Sequence, residues 1–184
     1  MKLFIGCSSS NDIPQKYIDD CKIYLEELLT GNDIVFGACS DGLMGISYNI
    51  AKKNNKKITG ICPVSFKEDL QKLECDYEEL TETISQRTTS VIDASDALIF
   101  LPGGIGTIYE LFTAIESKRS HEFDKPIVIY NSCNYFDKLF SFLELIYSES
   151  FTSDRVKKCY HISNTAEDTL NYINNYNSEL KLRK

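Results

Sequence analysis

Short apolar runs alternate along the chain with longer segments of helical periodicity, and this alternation restricts the possible folds more than any other feature. The run DALIFLP (96–102) is the most apolar and has no polar residue from Ala97 to Leu101. A strand that is apolar on both faces must be covered on both faces. Further predicted strands are KLFIGC (2–7), DIVFGAC (33–39), KITGICP (57–63), KPIVIYN (125–131) and, less apolar, KCYHIS (158–163).

Segments with helical spacing follow these predicted strands. The predicted helices cover residues 17–28, 42–53, 82–95, 107–118, 135–151 and 166–176. Residues 64–80 are charged and irregular, and their pattern predicts no element. Alternating strands and helices predict an α/β fold in which helices flank a doubly wound parallel sheet. A length of 184 residues predicts a single domain over 1–184.

Net charge and cysteine usage narrow the classes of partner and compartment. The formal net charge of −7 argues against nucleic acid and anionic membrane surfaces as partners, because both require a basic surface. The seven cysteines are odd in number, form no C-x-x-C pair and follow no signal peptide, so we expect a cytoplasmic protein with reduced thiols. The two histidines are far apart in sequence and have no ligand spacing, so no metal site is predicted.

Two glycine-rich turns follow predicted strands: FGACSDGLMG (36–45) and LPGGIGT (101–107). Each leads into a predicted helix, and glycine there lets backbone N–H groups approach an anion at a helix N-terminus. Neither turn is a Walker loop or a regular G-x-G-x-x-G. Each therefore predicts a phosphate site, with an ordinary strand-to-helix turn as the alternative. Ser8–Ser10 after the first strand either contact such a ligand or only form the turn.

Arg87 lies on the predicted helix 82–95, and Ile84 and Val91 fall on the same face at helical spacing. An arginine directed inward must find an anion. Two structural roles are possible: a buried Arg–Glu pair, or an arginine whose charged end extends to solvent. In the functional alternative, Arg87 contacts a ligand. The spacing alone favours the structural roles.

Glu110 also has two interpretations. The segment Thr107–Glu110 fits the capping box [ST]-x-x-E, in which Thr107 caps the helix and Glu110 reaches back to it. Local sequence favours this interpretation. In the alternative, the carboxylate lies over the phosphate site and acts on a bound sugar.

Several of these segments together resemble one family. PGGIGTIYE (102–110) fits the pattern P-G-G-x-G-T-x-x-E at every fixed position, and 14 residues separate Arg87 from Pro102, as they do in the family. The chain resembles the LOG family, the cytokinin riboside 5′-monophosphate phosphoribohydrolases, also described as possible lysine decarboxylases. The resemblance covers residues 2–145, and its other segments are GCSSS (6–10), GLMG (42–45) and DKPIVIYNSCNYFDKL (124–139).

The resemblance implies a Rossmann-like fold, a homodimer and hydrolysis of the N-glycosidic bond of a nucleoside 5′-monophosphate, either AMP or a cytokinin riboside monophosphate. It implies no cofactor, and no lysine shows a recognisable pyridoxal-phosphate site for decarboxylation. Arg87 and Glu110 are the implied catalytic residues. The implied substrate- and phosphate-binding residues are Gly103, Gly104, Gly106, Thr107, Ser8, Ser9, Gly42, Met44 and Gly45.

The chain departs from the family pattern at four positions. Ala38 and Cys39 replace glycines of the first turn, Thr88 replaces a lysine, and Tyr109 replaces a glutamate. The departures leave the released base open and keep a second hypothesis, a non-catalytic nucleotide-binding or carrier protein. Cys39 is a further nucleophile candidate, although a small space-filling residue is the favoured interpretation because no histidine is near it in sequence.

Overall fold

A computed structural model describes residues 1–177, and its centre is one parallel sheet of seven strands. The sheet order is β4-β3-β2-β1-β5-β6-β7, and every neighbouring pair is parallel. This doubly wound arrangement confirms the predicted fold class. The strands are β1 (Lys2–Gly6), β2 (Asp33–Phe36), β3 (Ile58–Pro63), β4 (Tyr77–Thr81), β5 (Ala97–Phe100), β6 (Ile127–Tyr130) and β7 (His161–Ser163).

All six predicted helices are present, with ends that differ by a few residues from the sequence pattern. The helices are α1 (Gln15–Leu28), α2 (Gly42–Lys53), α3 (Lys67–Leu70), α4 (Ile84–Ala94), α5 (Ile105–Arg119), α6 (Asp137–Ser148) and α7 (Ala166–Asn174). Short 3-10 turns cover Val64–Phe66, Ser132–Asn134 and Asp154–Cys159. No helix within residues 1–177 is long and apolar enough to cross a lipid bilayer.

The segment without a predicted element, 64–80, contains a 3-10 turn, α3 and most of β4. β4 has the sequence YEELT, and its first four residues are exposed. It is an edge strand that pairs only with β3, so neither face requires an apolar run. Backbone pairing forms this strand, and its glutamates suit an exposed sheet edge.

Side chains of the five interior strands, β3, β2, β1, β5 and β6, alternate between two separate hydrophobic cores, one on each face of the sheet. In β1, Leu3 and Ile5 face the core formed with α1, α2 and α7, whereas Phe4 faces the core formed with α4, α5 and α6. The same alternation holds in β5, where Ile99 and Leu98 face opposite cores. Coverage on both faces is the physical reason why the central strands are apolar throughout.

The switch point of the sheet lies between β1 and β5, because the chain proceeds from β1 toward β4 on one side and resumes at β5 on the other. The loops after these two strands lie side by side: the Ser8 amide donates to the Pro102 carbonyl at 3.0 Å. The Met44 amide in α2 donates to the Ser8 carbonyl at 3.2 Å. The two glycine turns therefore meet at the carboxyl edge of the sheet, where such folds bind ligands.

Candidate active site

A cleft of about 580 Å³ opens at this carboxyl edge. One end of the cleft lies at the carboxyl end of β1 and the start of α5. The cleft passes the turn after β2 and reaches the end of β3 and the start of α4. Its lining residues are Cys7, Ser8, Ser9, Ser10, Gly37, Ala38, Cys39, Asp41, Met44, Pro63, Phe66, Asp69, Ile84, Arg87, Gly104, Gly106, Thr107, Tyr109 and Glu110.

Arg87 and Glu110 form an ion pair in the cleft wall through Arg87 Nη1 and Glu110 Oε1. Both residues are buried, with 8% and 4% of their surface exposed. Arg87 Nε also donates to the carbonyl of Ile61 in β3 at 3.4 Å. The structural alternative of the sequence analysis, a buried Arg–Glu pair, is thus present, and the same pair also lines the cleft. The two interpretations of Arg87 are compatible.

Burial lowers the pKa of Arg87 to about 10, and the nearby thiols of Cys62 and Cys7 act in the opposite direction. The guanidinium therefore remains charged at neutral pH. A buried positive charge is stable only with a partner. Glu110 is that partner, so the arginine holds the carboxylate in a fixed position facing the cleft.

The position of Arg87 depends on the start of α4. Thr83 and Gln86 form a complete capping box there: the Gln86 amide donates to Thr83 Oγ1 at 3.1 Å, and Gln86 Oε1 accepts from the Thr83 amide at 3.2 Å. Val91 packs in the core as predicted, but Ile84 is 56% exposed at the cleft rim. The prediction that Ile84 faces the core was wrong because it is the first residue of the helix, before the helix packs on the sheet.

The predicted capping box of Thr107 and Glu110 is wrong. α5 begins at Ile105 with Gly104 as its N-cap, so Thr107 lies in the first turn and Glu110 in the second. No side chain caps this helix. The first amides of α5 are therefore not used by a capping side chain, and a helix N-terminus in that state attracts anions.

The three glycines of PGGIG have different surroundings. A Cβ on Gly103 would overlap the Thr107 side chain, and Gly103 does not line the cleft. Its small size allows α5 to start close to the β5 loop. A Cβ on Gly104 or Gly106 would have no atom within 4 Å, although both residues line the cleft. Their small size leaves room for a ligand rather than for the protein itself.

The residues of the first glycine turn also differ in whether they pack against the protein or line the cleft. Gly42 has φ +59°, and a Cβ there would lie 2.7–2.8 Å from backbone atoms of Ser8, Ser9 and Ser10. A Cβ on Gly45 would overlap the Ser40 carbonyl. Gly42 and Gly45, predicted to bind the ligand, instead lie outside the cleft lining and allow close backbone packing. Met44, in the same turn, lines the cleft.

The departures from the LOG pattern also have defined places. Ala38 adopts φ 57°, a left-handed conformation that favours glycine. Cys39 is half-buried in the cleft lining, which contains neither histidine. Thr88 is buried and its hydroxyl donates to the Ile84 carbonyl at 3.0 Å, so it does not face the cleft. Tyr109 lines the cleft beside Glu110.

Among the described residues that line the cleft, Arg87 is the only cation, and Asp41, Asp69 and Glu110 are acidic. Helix amides and hydroxyls, not lysines, would have to hold an anion here. The lining residues that sequence reasoning missed include Asp41, Pro63, Phe66 and Asp69. The last two lie in the segment with no predicted element, and their sequence gave no signal of a site.

No group of three His, Cys, Asp or Glu side chains within residues 1–177 is arranged to hold a metal ion. No lysine of that part of the chain lines the cleft. A lysine is the residue that pyridoxal phosphate requires for its Schiff base.

A family model described as "Possible lysine decarboxylase" matches residues 44–173, well over half of the chain. The chain belongs to this family. The resemblance to the LOG family is confirmed, and the match includes Arg87, Glu110 and the whole PGGIGT turn.

Named LOG proteins are similar to almost the full chain. LOG3 of Arabidopsis thaliana, a cytokinin riboside 5′-monophosphate phosphoribohydrolase, is 29% identical over 181 residues, which cover 95% of this chain and 82% of the relative. LOGL6 of Oryza sativa, a probable cytokinin riboside 5′-monophosphate phosphoribohydrolase, is 28% identical over 181 residues, which cover 95% of this chain and 71% of the relative.

Solved structures share the fold at low identity. The Moco carrier protein of Chlamydomonas reinhardtii aligns with a TM-score of 0.65 and 17% identity over 94% of both chains. The DNA processing protein A of Streptococcus pneumoniae aligns with a TM-score of 0.60 and 12% identity over 94% of this chain and 61% of its own. These likenesses confirm the Rossmann-like architecture of this LOG-family chain, and at such identity they carry no functional information.

Proposed function

We propose that this protein hydrolyses the N-glycosidic bond of a nucleoside 5′-monophosphate and releases the free base and ribose 5-phosphate. One observation carries the proposal: a buried carboxylate, Glu110, is fixed by Arg87 in the wall of a cleft that also contains an uncapped helix N-terminus. A carboxylate and an anion site in one cleft suit a substrate with a phosphate at one end and a developing positive charge next to it.

The phosphate is proposed to bind at the start of α5. Gly104, Gly106 and Thr107 line the cleft there, and Ser8 and Ser9 approach from the loop after β1. Backbone amides at a helix N-terminus carry partial positive charge, and hydroxyls can donate to phosphate oxygens. Binding of this distant group would then support chemistry at the sugar.

Glu110 is proposed to act at C1′. Breaking the bond between ribose and base builds positive charge on the sugar, as in glycoside hydrolysis. The carboxylate stabilises that charge and accepts a proton from the water that attacks C1′. The base leaves with the electron pair of the broken bond and takes up a proton from solvent, and Glu110 then returns its proton to solvent. Arg87 keeps Glu110 ionised and oriented because the pair is buried together.

The names of the relatives support a cytokinin riboside 5′-monophosphate as the substrate, and AMP shares its sugar, phosphate and purine. The same names support a hydrolase, although the family model has a decarboxylase description. We propose no nucleic acid or membrane partner, consistent with the net charge of −7. A cytoplasmic location is proposed because all seven cysteines are free thiols.

A homodimer is also proposed. Exposed apolar side chains lie on the first turns of α4 and α5 beside the cleft: Ile105 is 87% exposed and Ile84 56%. Exposed apolar residues of this kind suit a subunit contact. Sedimentation of the purified chain measures the mass directly, and a monomeric mass would contradict this proposal.

The proposed reaction is tested by assaying free-base release from a panel of nucleoside 5′-monophosphates by wild type, Glu110→Gln and Glu110→Asp. The glutamine removes the counter-charge of buried Arg87, so we expect a lower melting temperature as well as a loss of activity of about 100-fold or more. The aspartate keeps the charge but withdraws the carboxylate by one methylene, so we expect reduced activity with a melting temperature closer to that of wild type.

All assays are run well below the lowest melting temperature, so that folding is not limiting. Full activity in a folded Glu110→Gln variant would contradict the role of the carboxylate. If wild type and both variants bind AMP but release no base, the non-catalytic carrier hypothesis is favoured instead. The departures from the family pattern at Ala38, Cys39 and Thr88 also favour that hypothesis.

A further inference from the structure

The end of the cleft opposite α5 is built by the segment after β3, and the proposed function gives this end no role. Phe66 and Asp69 line it, together with Pro63. Phe66 lines the cleft and is 51% exposed, so a ligand in the cleft can reach it. An aromatic ring and a carboxylate next to each other in a cleft offer a stacking surface and a hydrogen-bond acceptor.

The order of groups along the cleft matches the order of groups in a nucleoside monophosphate. β3 lies two strands from β1, roughly 10 Å at ordinary strand spacing, and β5 lies beyond β1. Arg87 lies between these ends, because it contacts the Ile61 carbonyl in β3 and its guanidinium lies against Gly37 after β2. With phosphate at α5 and C1′ at Glu110, the base extends toward Phe66 and Asp69.

Asp69 can accept a hydrogen bond from a ligand. Its Oδ1 accepts from Lys72 Nζ at 2.9 Å, and this leaves Oδ2 for a ligand. Both partners are exposed: 63% of the Lys72 side chain and 43% of the Asp69 side chain are accessible. An exposed pair of this kind is weak, so a ligand competes with it easily. Asp41, another acidic residue of the lining, accepts from Asn11 Nδ2 at 2.9 Å, but it lies at the start of α2 and not beside Phe66.

We infer that Phe66 and Asp69 form the base subsite and select nucleobases that carry an exocyclic amino group. This inference rests on the proposed function for the direction of the substrate. An ionised carboxylate only accepts hydrogen bonds. It binds the amino group of adenine or cytosine, and it repels the oxo group that replaces that amino group in hypoxanthine or uracil.

The test compares kcat/KM for AMP with IMP, and for CMP with UMP, in wild type, Asp69→Asn and Glu68→Gln. We expect wild type to prefer the amino member of each pair about tenfold or more. Asparagine both donates and accepts, so Asp69→Asn should bring the AMP-to-IMP ratio to within about threefold of one. Glu68 is the exposed neighbour outside the cleft lining, and Glu68→Gln removes the same charge. It should keep the wild-type ratio.

Phe66→Ala should raise KM for every base by about tenfold without changing the AMP-to-IMP ratio. A wild-type ratio near one, or a ratio that Asp69→Asn leaves unchanged, would overturn the inference while the hydrolase proposal stands. Absence of turnover with every substrate would reject the hydrolase proposal. In that case calorimetric binding of AMP and IMP to wild type and Asp69→Asn decides: the same loss of preference supports the subsite, and equal binding or no binding overturns it.

Discussion

Arg87 and Glu110 illustrate how one pair of residues serves stability and chemistry together. Each charge alone would be costly in a wall where less than a tenth of either residue is exposed. Paired, they form a fixed carboxylate at the edge of a cleft, and the protein needs no further cation there. Gly37 is part of the arrangement, since a Cβ on it would overlap Arg87 Nη2.

The glycines after β5 separate a structural role from a ligand role. Gly106→Ala adds a Cβ in open space inside the first turn of α5, so we expect unchanged stability or a gain of up to about 1 kcal/mol from helix propensity. The same methyl group projects into the proposed phosphate site, so the affinity for AMP should fall. Urea unfolding and calorimetric AMP binding measure the two effects.

Gly103→Ala is the matched control for that prediction. Its Cβ would overlap the Thr107 side chain, so it should reduce the unfolding free energy, by about 1–3 kcal/mol for overpacking. Unimpaired AMP binding by a fully folded Gly106→Ala variant would move the phosphate away from this turn.

At the scale of elements, α4 positions the active-site arginine through its own N-terminus. The capping box of Thr83 and Gln86 fixes where the helix begins, and Arg87 follows one turn later on the side of the sheet that carries α5 and α6. The helix thus places the Arg87 guanidinium beside Ile61 of β3 and Glu110 of α5.

Removal of this cap should weaken α4. Thr83→Ala is expected to lower the unfolding free energy by about 1 kcal/mol, because the Gln86 amide loses its acceptor. Thr83→Ser keeps a hydroxyl and should cost only a few tenths of that. Chemical denaturation of both variants measures the difference, and equal stabilities of the alanine and serine variants would show that the cap contributes nothing.

At the scale of the whole molecule, a buried lysine couples global stability to pH. Lys118 in the last turn of α5 is fully buried; its Nζ donates to the Lys125 carbonyl at 2.8 Å and lies 4.6 Å from the Tyr176 ring centroid. Burial lowers its pKa to about 8. Between pH 8 and the ordinary lysine value the unfolded chain therefore binds a proton that the folded chain does not, and stability from this group increases with pH.

Lys118→Met should remove this pH dependence. The unfolding free energy of wild type minus that of Lys118→Met is expected to increase from pH 8 to pH 10 and to be constant below pH 7. Subtracting the variant cancels the ionisation of buried tyrosines and cysteines, which act in the opposite direction. Lys22→Met, which removes an exposed lysine from α1, is the control for the loss of one lysine charge. If the difference in unfolding free energy between wild type and Lys118→Met does not change with pH, the pKa of Lys118 is the same in the folded and unfolded chain.

The sequence by itself determined the succession of interior strands and helices along the chain, since a strand covered on both faces must be apolar and the helices between such strands are amphipathic. It also determined Arg87 and Glu110 as a pair, through a motif with fixed spacing. The local pattern was misleading at the start of α5, because the helix begins at Ile105 and this excludes the predicted capping box of Thr107 and Glu110. Tertiary structure alone formed β4 by pairing with β3, and it brought Phe66 and Asp69 to the cleft, because contacts between distant segments leave no periodic pattern in the chain.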